Sequence, residues 1–184
     1  MNLNEISKYM AMLLRHKPEK GNIKLDKEGY TDVESLLKAL GIDFEILEQI
    51  VENDNKQRYS FNSDKTRIRA NQGHSVSNVS IKFKNFIPAK PLYHGTALKY
   101  KDGIDKKGLI SKNRQYVHLS QDIETAKSVG MRHAKYNSNL IIYEIDYKKM
   151  LKDGHKFYIS DNNVVLVECV PKRYLKQISI GGKY

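Results

Sequence analysis

Eight consecutive residues, Ile68-Arg69-Ala70-Asn71-Gln72-Gly73-His74-Ser75, end an expected strand on an arginine and follow it with two amides, a glycine, an imidazole and a hydroxyl. The run is poor core material but dense in groups that grip phosphate. Glycine lets backbone N–H groups approach an anion closely. Arginine supplies a planar fork matched to phosphate oxygens. A polar turn between two strands would draw on the same residue types, so the run alone leaves both readings open.

Four further clusters carry chemistry. In Leu13-Leu14-Arg15-His16-Lys17-Pro18, three cationic or protonatable groups close a helix, a place where its negative dipole would favour them in any case. Leu92-Tyr93-His94-Gly95-Thr96 is a strand running into a glycine turn flanked by imidazole and hydroxyl. In Val117-His118-Leu119-Ser120 a histidine and a serine share one side of a strand end. Gly130-Met131-Arg132-His133 ends a helix. A single strand histidine is ordinarily structural; two of them, each followed within two residues by a hydroxyl, point to a polar ligand. The six histidines are dispersed, with no HxxxH, HExxH or CxxC spacing, so no metal is expected. A GxSxG elbow, a GxGxxG loop and a GxxxxGK[ST] loop are also absent, which argues against a serine hydrolase, a Rossmann site or a Walker site.

The elements that must position these groups fall into two textures. Leu3, Ile6, Met10, Leu13 and Leu14 recur at helical spacing, predicting a helix over 3–16 that stops before Pro18. Thr31-Asp32-Val33-Glu34 reads as a capping box opening a helix through Leu40, closed by Gly41. A third helix is expected over 44–52. Arg58–Phe61 and Thr66–Arg69 read as strands around the turn Asn62-Ser63-Asp64. Three helices and a hairpin outline a winged-helix-like lobe over residues 1–88. From Pro91 strands dominate: Leu92-Tyr93, Val117–Leu119, Leu140–Ile145 and Val164–Val167. Ser120 is placed to cap a helix from Asp122 to about Ala134. This second lobe, 89–184, reads as an α+β sheet lobe whose element order does not fit a doubly wound parallel sheet.

Composition bounds the function. The 184 residues carry 32 Lys/Arg against 21 Asp/Glu, a net charge of +11. Residues 89–184 hold 18 of the basic and 9 of the acidic groups, so the surplus sits in the second lobe. Such a balance permits a polyanionic partner through counterion release, and equally serves as a solubilising surface. One cysteine, Cys169, excludes an intrachain disulfide and a Cys-rich zinc site. There is neither an apolar run long enough to span a bilayer nor a signal-peptide pattern at the start, so a cytoplasmic location without membrane association is expected.

Taken in order, LLRH (13–16), DKEGY (26–30), KQRYSF (56–61), IRANQGHS (68–75), LYHGT (92–96), VHLS (117–120) and NNVVL (162–166) with Val170-Pro171 resemble the RNA 2′-phosphotransferases of KptA type across essentially the whole chain. Tyr30 stands where that family commonly has tryptophan, and Tyr59 where phenylalanine is common. The resemblance implies an α+β protein with an N-terminal winged-helix-like lobe and a C-terminal ADP-ribosyltransferase-like β-sheet lobe. It implies removal of an internal 2′-phosphate from RNA, of the kind left at a tRNA splice junction, with NAD consumed as co-substrate. RNA and NAD are the implied partners, with no metal, and the chain is expected to be a monomer.

By the same resemblance Arg15, His16, Arg69 and Arg132 surround the reacting phosphate and are expected to converge on one anion-sized site. His94, Gly95 and Thr96 would contact the adenosine-side ribose of NAD, with His118 and Ser120 further along the cleft. Protein-modifying ADP-ribosyltransferases commonly place a catalytic glutamate late in this lobe. Here NNVVL offers valines, with Glu168 two residues past Leu166, which suits a nucleophile that is already an anion. Two alternatives remain open on the residues: an ADP-ribosyltransferase acting on nucleic-acid ends or another acceptor, and a non-catalytic winged-helix nucleic-acid-binding protein.

Overall fold

The computed structural model describes residues 2–134, 136 and 139–178. The chain divides into two units, Met1–Lys82 and Phe83–Tyr184.

In the first unit α1 (Leu3–Arg15) opens on a reciprocal capping box between Asn2 and Glu5 and buries Ile6, Met10, Leu13 and Leu14. β1 (Tyr30–Asp32) leads directly into α2 (Val33–Leu40), and α3 (Phe44–Glu52) follows. β2 (Tyr59–Phe61) and β3 (Arg67–Ala70) complete an antiparallel sheet in the order β1-β3-β2. The apolar faces of the three helices close over Tyr59, Ile68 and Ala70 in one core.

Local chemistry moves several expected boundaries. Thr31 does not cap α2: it is a buried strand residue opposite Ile68, and the cap is Asp32, whose carboxylate accepts from Ser35 N at 2.8 Å. Gly41 closes the helix at φ +66, as expected. Arg58 is drawn out of β2 because Asp54 takes both its N–H and its guanidinium. Thr66 is held in the turn by Asp64 rather than in β3.

The second unit is built on a four-stranded sheet and a three-stranded sheet. The first is formed by β4 (Lys84–Phe86), β7 (Val117–Leu119), β9 (Phe157–Ile159) and β10 (Val165–Val167), in the order β4-β9-β10-β7. The second contains β5 (Leu92–Ala97), β8 (Leu140–Ile145) and β12 (Leu175–Ile178), with β8 central. A short pair, β6 (Leu109–Ile110) and β11 (Cys169–Val170), and three helices, α4 (Lys101–Lys107), α5 (Ile123–Ala134) and α6 (Tyr147–Lys152), complete it. Among the described residues every pairing in this unit is antiparallel. Leu92, Ile141, Tyr143 and Ile145 of one sheet share a buried core with Val117, Leu119, Phe157, Val165 and Val167 of the other.

The division between the units falls before residue 88. Lys84–Phe86, which fall within the 1–88 lobe expected from sequence, pair with β9, Lys84 opposite Ile159 and Phe86 opposite Phe157, and so belong to the second unit. Among the described residues no helix is long and apolar enough to cross a membrane.

Candidate active site

In the first unit the chemistry-bearing residues meet at the C-terminal end of α1. Arg15 is its last residue and is only 9% exposed, while His16 follows as the C-cap and lies at the surface. The IRANQGHS segment wraps this end. Asn71 is structural: its N–H donates to Arg58 O, its Nδ2 to Gln57 O at 2.7 Å, and its Oδ1 accepts from Ser60 Oγ at 2.7 Å. This fastens the segment beside β2. Gly73 then adopts φ +91 and faces the Arg15 guanidinium, a Cβ built on it standing 3.7–3.8 Å from Arg15 Cδ, Nε and Cζ. Ser75 closes the wrap, its N–H donating to Arg15 O at 2.9 Å and its Oγ lying 2.9 Å from His16 Nδ1.

Arg69 arrives from β3. Its guanidinium lies 4.7 Å over the ring of Tyr30, directly opposite it on β1, and its Nη1 donates to Glu28 O at 3.4 Å. Arg67 lies over the same ring at 5.4 Å but is committed to Asp26 at 2.8 Å. Between these groups sits His74, 3% exposed, with its Nε2 2.9 Å from where a Gly29 Cβ would stand. Burial first, then the charges of Arg15, His16 and Arg69, push the His74 pKa down to about 4. The imidazole is therefore neutral at physiological pH, through burial first and the neighbouring positive charges second.

That shift makes stability depend on pH. His74 titrates near 4 when folded and near 6.5 when unfolded, so between those values the unfolded chain binds the extra proton. The His74 contribution is complete above about pH 6.5 and is lost as pH falls towards 4, amounting to about 3 kcal/mol. Urea midpoints of the wild type and His74→Gln across pH 4–7 isolate it from the carboxylates. The wild type should fall more steeply; parallel curves would place His74 in solvent.

In the second unit the two histidine strands adjoin. Tyr93 and Ser120 exchange backbone hydrogen bonds at 2.8 Å in both directions, joining β5 to the end of β7. Ser120 thus serves as a strand bridge and does not cap α5; Asp122 does so, accepting from Thr125 N and Thr125 Oγ1. His94 Nδ1 lies 3.1 Å from His118 O. A carbonyl only accepts, so Nδ1 carries the hydrogen and the neutral ring offers Nε2 as an acceptor. Desolvation keeps His94 below the usual imidazole range, reinforced by His133 and opposed by that hydrogen bond. Thr96 is buried on the same strand.

α5 lies on β5 at two glycines. A Cβ on Gly95 would be driven into the carbonyl oxygen of Ala126, and one on Gly130 into Leu140 and the backbone of Gly95 and Thr96. The Gly95 position is thus a requirement of helix–strand packing, whatever else it contacts. This packing fixes the last turn of α5, which carries Arg132 and His133. Arg132 is exposed, and its charge, after desolvation, holds Arg114 below the usual guanidinium range. Two arginines therefore face one another electrostatically here.

Three of the four residues expected at the phosphate, Arg15, His16 and Arg69, are gathered in the first unit; the fourth, Arg132, belongs to the second. His94, Gly95, Thr96, His118 and Ser120 are gathered on β5 and the end of β7. Among the described residues no group of three or more His, Cys, Asp or Glu could hold a metal ion.

Comparison with known proteins agrees with the arrangement of motifs. The family model described as RNA 2′-phosphotransferase, Tpt1/KptA family, matches residues 2–169. The chain belongs to this family. A Fusobacterium nucleatum protein named "Probable RNA 2'-phosphotransferase" is 49% identical over 178 residues, covering 94% of this chain and 97% of the relative. Relatives of the same name from Flavobacterium johnsoniae and Trichormus variabilis are 44% and 43% identical, covering 93% and 95% of this chain and 94% and 96% of their own lengths. The matched span contains every residue proposed above for the site. Sequence reading counted His74 and Ser75 only among the polar groups of the IRANQGHS run and gave Tyr30 and Arg114 no role. The stacking register of Tyr30 opposite Arg69 and the wrap of 73–75 around α1 set the first three apart from ordinary polar positions.

Proposed function

We propose that the chain is an NAD-dependent RNA 2′-phosphotransferase, with a winged-helix-like first unit and an ADP-ribosyltransferase-like second unit. Family membership and the names of the relatives support the RNA 2′-phosphotransferase activity. The route through NAD rests on the resemblance of LYHGT and VHLS and on the neutral, acceptor-bearing His94. One observation carries the reading: Arg15, His16 and Arg69 bear together on a buried His74, and their charges add to the burial that takes its pKa down to about 4. Like charges held this close repel one another, and a bound dianionic phosphate removes that cost.

The chemistry then follows. A 2′-phosphate oxygen of the RNA attacks the anomeric carbon of the nicotinamide ribose. The glycosidic bond breaks, its electron pair leaving with nicotinamide. In the second step the neighbouring ribose hydroxyl attacks the same phosphorus and the bond to the RNA 2′-oxygen breaks. RNA 2′-OH and ADP-ribose 1″,2″-cyclic phosphate result. Both steps gather negative charge on one phosphate, so the chain's task is positioning and charge stabilisation. Arg15, Arg69 and Arg132 supply permanently charged donors. His16 hydrogen-bonds the phosphate or moves the proton of the second step. His94, Gly95 and Thr96 hold the adenosine-side ribose, with His118 and Ser120 beyond them.

The test is incubation with a 2′-phosphorylated oligoribonucleotide, with and without NAD. Loss of the 2′-phosphate and release of nicotinamide only when NAD is present is the expected result, and it should survive chelators. An ADP-ribosylated RNA as the sole end product would favour a transferase that stops after the first step. Absence of nicotinamide release would leave a nucleic-acid-binding protein.

A further inference from the structure

We propose that Ser75 is a positioning residue for His16, holding the imidazole by Nδ1 so that proton exchange at the reacting phosphate runs through Nε2. The proposal rests on the phosphotransferase reading for its consequence, though not for its geometry.

A surface histidine one residue past a helix end would ordinarily sample several rotamers and both neutral tautomers. Ser75 restricts the rotamer by holding Nδ1 in one place. Its N–H is bonded to Arg15 O and its Oγ lies 2.9 Å from His16 Nδ1, so the last residue of α1 and its C-cap are gripped by one residue of the loop. The loop is itself anchored at three points: Asn71 on β2, Gly73 against the Arg15 guanidinium, and His74 buried beneath Gly29. The hydroxyl is thus delivered at a fixed place rather than by a mobile side chain.

A hydroxyl is the suitable group there. It donates or accepts by rotating about one bond, so it remains bonded to Nδ1 whichever tautomer or charge the ring carries. A carboxylate in its place would raise the imidazole pKa and repel the phosphate. In the second step a proton leaves the attacking ribose oxygen and a proton arrives on the departing RNA 2′-oxygen. A ring anchored at Nδ1 can take the first and return the second through one atom without reorienting. Ser75 touches neither phosphate nor ribose in this scheme and acts only through His16.

The variants Ser75→Ala and Ser75→Thr of the full chain test this, since alanine keeps the backbone bond to Arg15 O and removes only the hydroxyl. Imidazole nitrogen NMR, with the His16 signals assigned by loss in His16→Gln, should show one fixed Nδ1 environment in the wild type and in Ser75→Thr. In Ser75→Ala those signals should move towards the averaged values of an unrestrained ring. With the 2′-phosphorylated oligoribonucleotide, Ser75→Ala should lower kcat by about 10- to 100-fold, a fraction of a full acid–base contribution, with a smaller change in KM. Threonine should restore it, and adding Ser75→Ala to His16→Ala should cost nothing further. Unmoved His16 signals in Ser75→Ala overturn the proposal whatever the activity. Additive losses in the double variant overturn it too, because Ser75 would then act independently of His16. If the signals move as expected while the wild type itself shows no turnover, the reaction reading fails and the positioning of His16 by Ser75 stands.

Discussion

Arg69→Ala should lower kcat/KM for a 2′-phosphorylated RNA by roughly 30- to 1,000-fold, equivalent to about 2–4 kcal/mol of transition-state stabilisation. The guanidinium is held over Tyr30 at 4.7 Å and tied to Glu28 O, so its orientation is set before substrate arrives. Little reorganisation is then needed when charge concentrates on the phosphate. Lysine should restore only part of the rate, because a point charge cannot reproduce a bidentate fork. Arg67 provides the internal control. It lies over the same ring but is committed to Asp26 in a half-exposed ion pair. Its replacement by alanine removes equal charge yet should cost little, as surface pairs contribute about 0–1 kcal/mol. Arg132→Ala should behave as Arg69→Ala does. Steady-state kinetics of the three variants decide the matter: equal losses at Arg67 and Arg69 would reduce the effect to net charge, and the specific role of Arg69 would be withdrawn.

The second large effect should appear in the products rather than in the overall rate alone. His16→Ala is expected to slow release of dephosphorylated RNA by about 10²- to 10⁴-fold, the range of a lost acid–base group. It should still release nicotinamide and build up RNA carrying ADP-ribose on its 2′-phosphate. His16 is exposed, so its removal leaves the core of α1 intact. Arg15→Ala should show the same accumulation if its main work is in the second step, although its burial against Gly73 means that its melting profile must be measured alongside. Mass analysis of the RNA at intermediate times is the measurement. If neither variant consumes NAD and the ADP-ribosylated RNA never appears, Arg15 and His16 are a docking or structural pair.

What the amino-acid order determined by itself was whatever is encoded within a turn or two of chain. The apolar spacing of Ile6, Met10, Leu13 and Leu14 defined α1, Phe44–Glu52 was readable as α3, and Gly41 marked the end of α2. Val117–Leu119 and Leu140–Ile145 stood out as β-rich runs, and the ordered motifs were specific enough to indicate the family. α4 left no such trace, because in KDGIDKK Ile104 is the only apolar residue and no periodicity exists to detect.

Tertiary structure decided the roles of residues whose partners lie far along the chain. Thr31 looked like a cap until β3, more than thirty residues later, paired with it; Ser120 looked like another until Tyr93 bridged to it. Asn71 fastens its loop to β2, and Gly95 admits the backbone of α5 whatever else it contacts, and neither packing role shows in the local sequence. Burial of Arg15 and His74, and with it the low pKa of His74, exists only once β3 and its following loop fold over the end of α1. Residue type limits what a side chain can do, and short-range spacing sets the element it sits on. Desolvation and the field of neighbouring charges are sums over groups brought together by long-range pairing, and local sequence does not contain them.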